Sequence, residues 1–218
     1  MKIVAINGSP KPNESASGML IQQIEDILHT NATVFSVRKL LDQKEFAHFS
    51  AVLQDADVLL VVFPLYIDSL SAPLIKVLSL IEQEGRLQRE VPLKVYAICN
   101  CGFYEAEHTR LALQMIERFA VRAGFNWGYG IGIGCGGMLL SLPGNLAKGP
   151  AANVHAVLRE LCDEIAGTIS GTQNVFVTPK FPRFLYKLSG NMGWNQMAKR
   201  NNVRTIIHAR PHVDQQTE

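Results

Sequence analysis

The sequence predicts a doubly wound α/β domain, a five-stranded parallel sheet with helices on both faces, followed by a short helical C-terminal extension. Three observations carry this expectation. Apolar runs of strand length alternate with stretches of helical spacing over about 170 residues, with no internal repeat. One of these runs, residues 58–63, is apolar at every position, as a strand covered on both faces must be. The opening stretch, residues 3–20, passes from an apolar strand through a loop of Gly, Pro and Ser into an amphipathic pattern.

Residues 2–6 read as the first strand, and Leu20, Ile24, Ile27 and Leu28 recur at helical spacing after it. Residues 33–37 form a second strand and residues 46–55 a short helix. Pro64 ends the third strand. Ser71 is placed to cap the next helix, with Pro73 tolerated in its first turn and Leu74, Leu78 and Ile81 on its inner face. Residues 93–99 make the fourth strand, and Ala112, Met115, Ile116 and Phe119 form the buried stripe of the helix behind it. In residues 125–134 large side chains alternate with glycine, so a fifth strand would have one face open to close packing by a helix. The final helix of the unit covers residues 154–168, with Val154, Val157, Leu158, Leu161 and Ile165 inward. Residues 171–174 read as a linker. Residues 181–188 and 194–200 read as two short helices separated by Gly190 and Gly193. The expected organisation is therefore a domain over residues 1–170 and an extension over residues 171–218, packed on the domain or on a partner subunit.

A chain of 218 residues is long enough to bury one full core, and 47% hydrophobic with 18% charged residues is an ordinary globular balance. The net charge of +2 gives no general affinity for polyanions, so no nucleic-acid partner is expected. Residues 174–218 nonetheless carry a charge of +5 against −3 for the rest, which reads as a solvated basic helix face. Cys99, Cys101, Cys135 and Cys162 form no Cys-x-x-Cys pair, and the six histidines form no ligand pair. No metal site is expected, and Cys99 and Cys101 read as core thiols. The first apolar run breaks at Asn7-Gly8, too early for a signal peptide, so a cytoplasmic location is the default. The uncharged stretch 123–147 has the length of a membrane span, but eight glycines and Pro143 interrupt it.

The first loop binds anions by design of its backbone. Free N–H groups and the helix dipole favour a phosphate at a helix start, and the hydroxyls of Ser9, Ser15 and Ser17 add donors. A Walker loop is excluded because Lys11 stands mid-loop and Gly18 is followed by Met19. A dinucleotide fingerprint is excluded because Gly8 and Gly18 are ten positions apart. The bland alternative is an ordinary strand-to-helix loop capped by Ser17. In such sheets ligands sit beyond the carboxyl ends of the strands. The loops there carry Tyr66 after strand three and Phe103 with Tyr104 after strand four, flat surfaces for a planar heterocycle. A mononucleotide with a large planar head, such as a flavin, matches a phosphate at one loop and aromatics at two.

At these residues the chain resembles the NAD(P)H-dependent FMN reductases of flavodoxin-like fold. Gly8-Ser9-Pro10 with Ser15 and Ser17 is similar to their phosphate loop. Pro64, Tyr66, Ser69, Ala72 and Lys76 are similar to their second flavin loop and the helix after it. Residues 100–105, Asn-Cys-Gly-Phe-Tyr-Glu, are similar to the third loop of some members. The resemblance implies that Ser9, Lys11, Ser15, Ser17, Gly18 and Met19 meet the phosphate, the first loop being one residue longer than usual, with Ser15 and Ala16 as alternatives. It assigns Pro64, Leu65, Tyr66, Ile67, Ser69, Asn100, Gly102, Phe103 and Tyr104 to the ring and ribityl chain. The implied cofactor is FMN, the implied donor NAD(P)H, and a homodimer is implied by analogy. The basic tail lies outside the matched region.

The expected activity is an oxidoreductase that passes a hydride from nicotinamide to FMN and on to a small acceptor such as a quinone or free flavin. The flavin carries that chemistry, so no catalytic side chain is assigned. The alternatives are a flavodoxin-like electron carrier and an FMN-binding regulatory module. Carriers of this fold commonly have a strongly acidic surface, which a net charge of +2 does not supply.

Overall fold

In the computed structural model, residues 1–11, 14–84, 92–142, 146–168 and 173–203 are described. The strands are β1 (Ile3–Asn7), β2 (Thr33–Ser36), β3 (Val58–Pro64), β4 (Lys94–Asn100), β5 (Asn126–Ile133) and β6 (Val175–Val177). They form one all-parallel sheet in the order β2-β1-β3-β4-β5-β6. The helices are α1 (Ala16–Leu28), α2 (Gln43–Gln54), α3 (Ala72–Gln83), α4 (Arg110–Arg122), α5 (Gly136–Leu139), α6 (Ala152–Ile165) and α7 (Arg183–Arg200).

Strand alternation divides the core into two layers. Val4, Ile6, Leu59, Val61, Phe63, Val95, Ala97 and Cys99 face α2, α3 and α4. Ile3, Ala5, Val58, Leu60, Val62, Tyr96, Ile98, Ile131 and Ile133 face α1 and α6. A sheet buried on both faces explains why β3 is apolar throughout. The chain winds outward from β1 to β2 and then in the other direction from β3, so the strand order reverses between β1 and β3. The crevice beyond their carboxyl ends is the place such a fold offers a ligand.

Three features differ from expectation. The sheet has six strands. Val175–Val177 pairs with β5, and Asn174, read as the end of a linker, accepts a hydrogen bond from the Gly130 N–H at 2.7 Å. Three residues are too few to show a periodicity of two. The second difference is in β5, where Val95 pairs with Trp127 but Ala97 pairs with Gly130. This bulge turns Gly128 toward the Tyr96 ring on one face, while Gly130 meets Leu113 on the other. Third, α7 is one continuous helix through Gly190 and Gly193. Glycine weakens a helix by about 1 kcal/mol without forbidding it.

The chain divides into two units, Met1–Lys180 and Phe181–Glu218. All six strands lie in the first. In the second, α7 exposes Phe184, Leu188, Met192, Trp194 and Met197. None of the described helices is long and apolar enough to cross a membrane.

Candidate functional site

The first loop leaves the sheet where β1 meets β3. The Gly8 N–H donates to the Val62 carbonyl at 2.8 Å, and a Cβ at Gly8 would stand 2.6 Å from the Phe63 Cβ, so this crossing needs glycine. Asn7 then organises the turn. Its Oδ1 accepts from the Ser9 N–H at 3.1 Å and its Nδ2 donates to the Ser15 Oγ at 3.5 Å. Ser9 in turn accepts from the Lys11 N–H at 3.3 Å. The helix cap is Ser15 rather than Ser17, because the Ser15 Oγ accepts from the Gly18 N–H at 3.1 Å. The Met19 N–H bonds the Ser15 carbonyl and opens the helix ladder. The Ala16 and Ser17 N–H groups, the first two of α1, are left without a partner among the described residues. Ser9, Ser15 and Ser17 are all buried although they belong to a loop and a helix start. Lys11 is exposed, and Pro12 and Asn13 lie outside the described residues.

Asn100, the last residue of β4, joins this loop to the other two. Its Nδ2 donates to the Ser17 Oγ at 3.3 Å and to the Phe63 carbonyl at 3.1 Å. Its own carbonyl accepts from the Leu65 N–H at 2.8 Å. One buried side chain thus links the start of α1, the end of β3 and the start of the third loop. A buried amide with its donors used is stiff, because an alternative position would leave polar atoms unpaired.

The second loop is a tight hairpin. The Tyr66 N–H bonds the Ser69 carbonyl and the Ser69 N–H bonds the Tyr66 carbonyl, at 2.9 and 3.0 Å. Ile67 and Asp68 between them have φ of +49° and +56°, the pattern of a type I′ turn. Ile67 is 98% exposed and Tyr66 41%. The Ser69 hydroxyl donates to the Met115 sulfur at 3.6 Å. Ser71 occupies the N-cap of α3 as expected, but its hydroxyl makes no cap bond and is buried without a partner among the described residues. Beside this hairpin a groove of about 710 Å³ runs between α3 and α4, lined by Ser69, Ile75, Leu111, Met115 and Arg118 among others.

The third loop is seated on the glycines of β5 and just beyond it. A Cβ at Gly132 would strike the Thr109 hydroxyl, and one at Gly134 would strike the Tyr104 carbonyl and stand 3.0 Å from the Ala106 N. The missing side chains are what let residues 104–109 lie so close. Thr178, just past β6, accepts from the Ala106 N–H at 3.3 Å and braces the loop from the far side. Phe103 is half exposed and lies against His108, with ring centroids 4.3 Å apart, and the His108 Nε2 is 4.0 Å from the Glu105 carboxylate. Burial pushes the thiols of Cys101 and Cys135, behind the loop, up to about 11. All four cysteines are free thiols, and among the described residues no cluster of ligands for a metal occurs.

All three loops therefore reach the same rim, and the glycine alternation serves packing. Sequence reasoning missed Asn7, Thr109 and Thr178. The Asn at a strand end before Gly-Ser was a visible signal for a side chain that folds back on its own turn. Thr178 had none, because its partner is 72 positions away.

The model of the NADPH-dependent FMN reductase family matches residues 1–128. No curated protein sequence matches the chain. Among solved structures, an oxidoreductase from Corynebacterium diphtheriae is similar over 78% of this chain and 97% of its own, at 11% identity and a TM-score of 0.56. An NADH:FMN oxidoreductase in its apo form is similar over 78% and 91%, at 16% identity and 0.55. An NADPH-quinone reductase from P. pentosaceus is similar over 78% and 100%, at 12% identity and 0.54. At these identities the likeness speaks for the fold alone.

Proposed function

Since the chain belongs to the NADPH-dependent FMN reductase family, we propose that its rim moves a hydride from reduced nicotinamide to bound FMN and delivers the electrons to a small acceptor, a quinone or free flavin. The protein is an oxidoreductase that binds FMN and draws on NAD(P)H. When bound, FMN supplies the hydride-accepting and electron-donating chemistry.

The residues present fit that cofactor. Two N–H groups at the start of α1 without a partner among the described residues, with the buried hydroxyls of Ser9, Ser15 and Ser17 beside them, are a donor set for a phosphate at the positive end of a helix dipole. In this reading Ser9, Lys11, Ser15, Ser17, Gly18 and Met19 hold the phosphate. Pro64, Leu65, Tyr66, Ile67, Ser69, Asn100, Gly102, Phe103 and Tyr104 bind and orient the ring and ribityl chain. Tyr66 and Phe103, both partly exposed, cover the planar ring and exclude water from one side. The observation that carries the reading is the tie made by Asn100 between the phosphate loop and the two aromatic loops.

We further take the active form to be a homodimer in the cytoplasm. Exposed Ile75, Leu111 and Met115 along the α3–α4 groove support a protein partner there. The test is the absorbance spectrum of the purified protein after incubation with FMN and gel filtration. The flavin bands are expected to co-elute with the protein and to bleach on adding NADPH. A colourless protein that takes up no FMN and oxidises no NADPH overturns the proposal.

A further inference from the structure

The side of the third loop that faces the sheet is held by sulfur. Cys101 follows β4 and Cys135 follows β5, and both are buried. The Cys101 thiol lies 3.8 Å from the Phe103 carbonyl oxygen and 3.6 Å from that of Glu105. The Cys135 N–H donates to the Phe103 carbonyl at 2.7 Å, and its thiol reaches the Tyr104 carbonyl at 3.7 Å. Three successive carbonyls, from Phe103 to Glu105, thus turn inward onto two cysteines. The Cys101 carbonyl in turn accepts from the Gly136 N–H at 2.6 Å, which locks the two cysteine segments together.

A buried cysteine ordinarily acts as a small hydrophobe. These two differ, because the groups within hydrogen-bond reach of both sulfurs are main-chain oxygens of one functional loop. Cys135 also holds φ of +53°, a conformation that a residue with a side chain rarely adopts. Every described peptide is trans, so the inward carbonyls of Phe103 and Tyr104 send the N–H groups of Tyr104 and Glu105 to the opposite side.

We propose that Cys101 and Cys135 are positioning residues of the flavin site, whose S–H groups, together with the Cys135 N–H, fix the carbonyls of residues 103–105 inward and so present Phe103 and Tyr104 to the ring. The inference rests on the assignment of Phe103 and Tyr104 to the ring made above. Burial keeps both thiols protonated at neutral pH, so they act as donors and not as nucleophiles.

The test separates ring binding from phosphate binding. Apo-protein is titrated with riboflavin and FMN by fluorescence quenching, and with inorganic phosphate by competition against FMN. C101A and C135A are expected to raise the dissociation constants of riboflavin and FMN by one common factor, about five-fold, and to leave that of phosphate unchanged. C135G removes the same thiol where the backbone already suits glycine, so it keeps the test alive if C135A does not fold. C135S, which retains a donor, is expected to bind riboflavin more tightly than C135G. Riboflavin affinity equal to wild type in C101A and C135G overturns the proposal. So does a parallel loss of riboflavin and phosphate affinity, which is what a general loosening of the fold produces. S9A is the control for the underlying reading, since the Ser9 Oγ bonds only within the first loop: it weakens FMN and phosphate while sparing riboflavin. A wild-type protein that binds neither flavin removes that reading, and this inference with it.

Discussion

Ile67 is the residue whose local conformation is hardest to explain by stability. A β-branched side chain at φ +49° costs about 1–2 kcal/mol relative to an ordinary backbone, and at 98% exposure it has no packing to offset that. On the proposed assignment of Ile67 to the flavin ring, the side chain gains in the bound state the contact it lacks here. Asparagine tolerates the left-handed region, so Ile67→Asn is expected to stabilise the apo-protein by up to about 1 kcal/mol while weakening flavin or acceptor binding. Thermal melting with and without FMN checks both halves; a variant that melts lower in both states contradicts the argument. The sequence placed Ile67 in the second loop through a family motif. It gave no sign of the positive φ, because Ile-Asp is not a usual turn pair.

Among the elements, β5 shows most clearly how a sequence pattern becomes a site. The alternation from Trp127 to Gly134 announced a stripped face, and the structure shows what fills it: a ring and a helix lower down, the third loop near the top. Gly134→Ala places a methyl against the Tyr104 carbonyl and must push the loop outward. Overpacking of this type costs about 1–3 kcal/mol. The expected result is a lower melting temperature together with weaker riboflavin binding, read by fluorescence titration. The same substitution at Gly190, where a Cβ meets nothing within 4 Å, is expected to stabilise α7 instead, since alanine is the better helix former. Circular dichroism of that variant decides the matter.

For the whole molecule, the boundary of the first unit has a testable consequence. A chain ending at Lys180 keeps β6 and Thr178 and is expected to bind FMN as the full chain does, because every assigned contact lies within Met1–Lys180. Ending it at residue 173 removes the strand that pairs with β5 and the brace of the third loop, and is expected to give a protein that melts lower and binds flavin poorly. Equal flavin affinity in the two truncations contradicts the role given to β6.

The buried acids govern stability toward alkali. Burial raises the thiols of Cys101 and Cys135 from an ordinary 9.0 to about 11 and that of Cys162 to about 12, and moves Cys99 in the same direction. Burial first, and then the Glu164 carboxylate, pushes Tyr96 and Tyr129 up as well. Above pH 9 the unfolded chain therefore releases thiol protons that the native state retains. The stabilisation is present in full well below pH 9 and is lost between the unfolded and folded values, by about 1 kcal/mol at pH 10 for each of Cys101 and Cys135. Urea midpoints measured at pH 7, 8 and 10 are expected to be level over the first interval and lower at the last.

The strand–helix alternation, the apolar β3 and the Ser-rich first loop were legible because local periodicity and turn chemistry depend on residues a few positions apart. From them followed the parallel sheet and the expectation of a phosphate at the first loop, and motif resemblance added the two aromatic loops. The tertiary structure alone decided which partners those loops find. The reach of Asn100 to Ser17, the brace from Thr178 to Ala106 and the entry of β6 into the sheet join residues far apart in sequence. Such contacts exist only once the sheet has brought its carboxyl ends together, so no window of the chain could announce them.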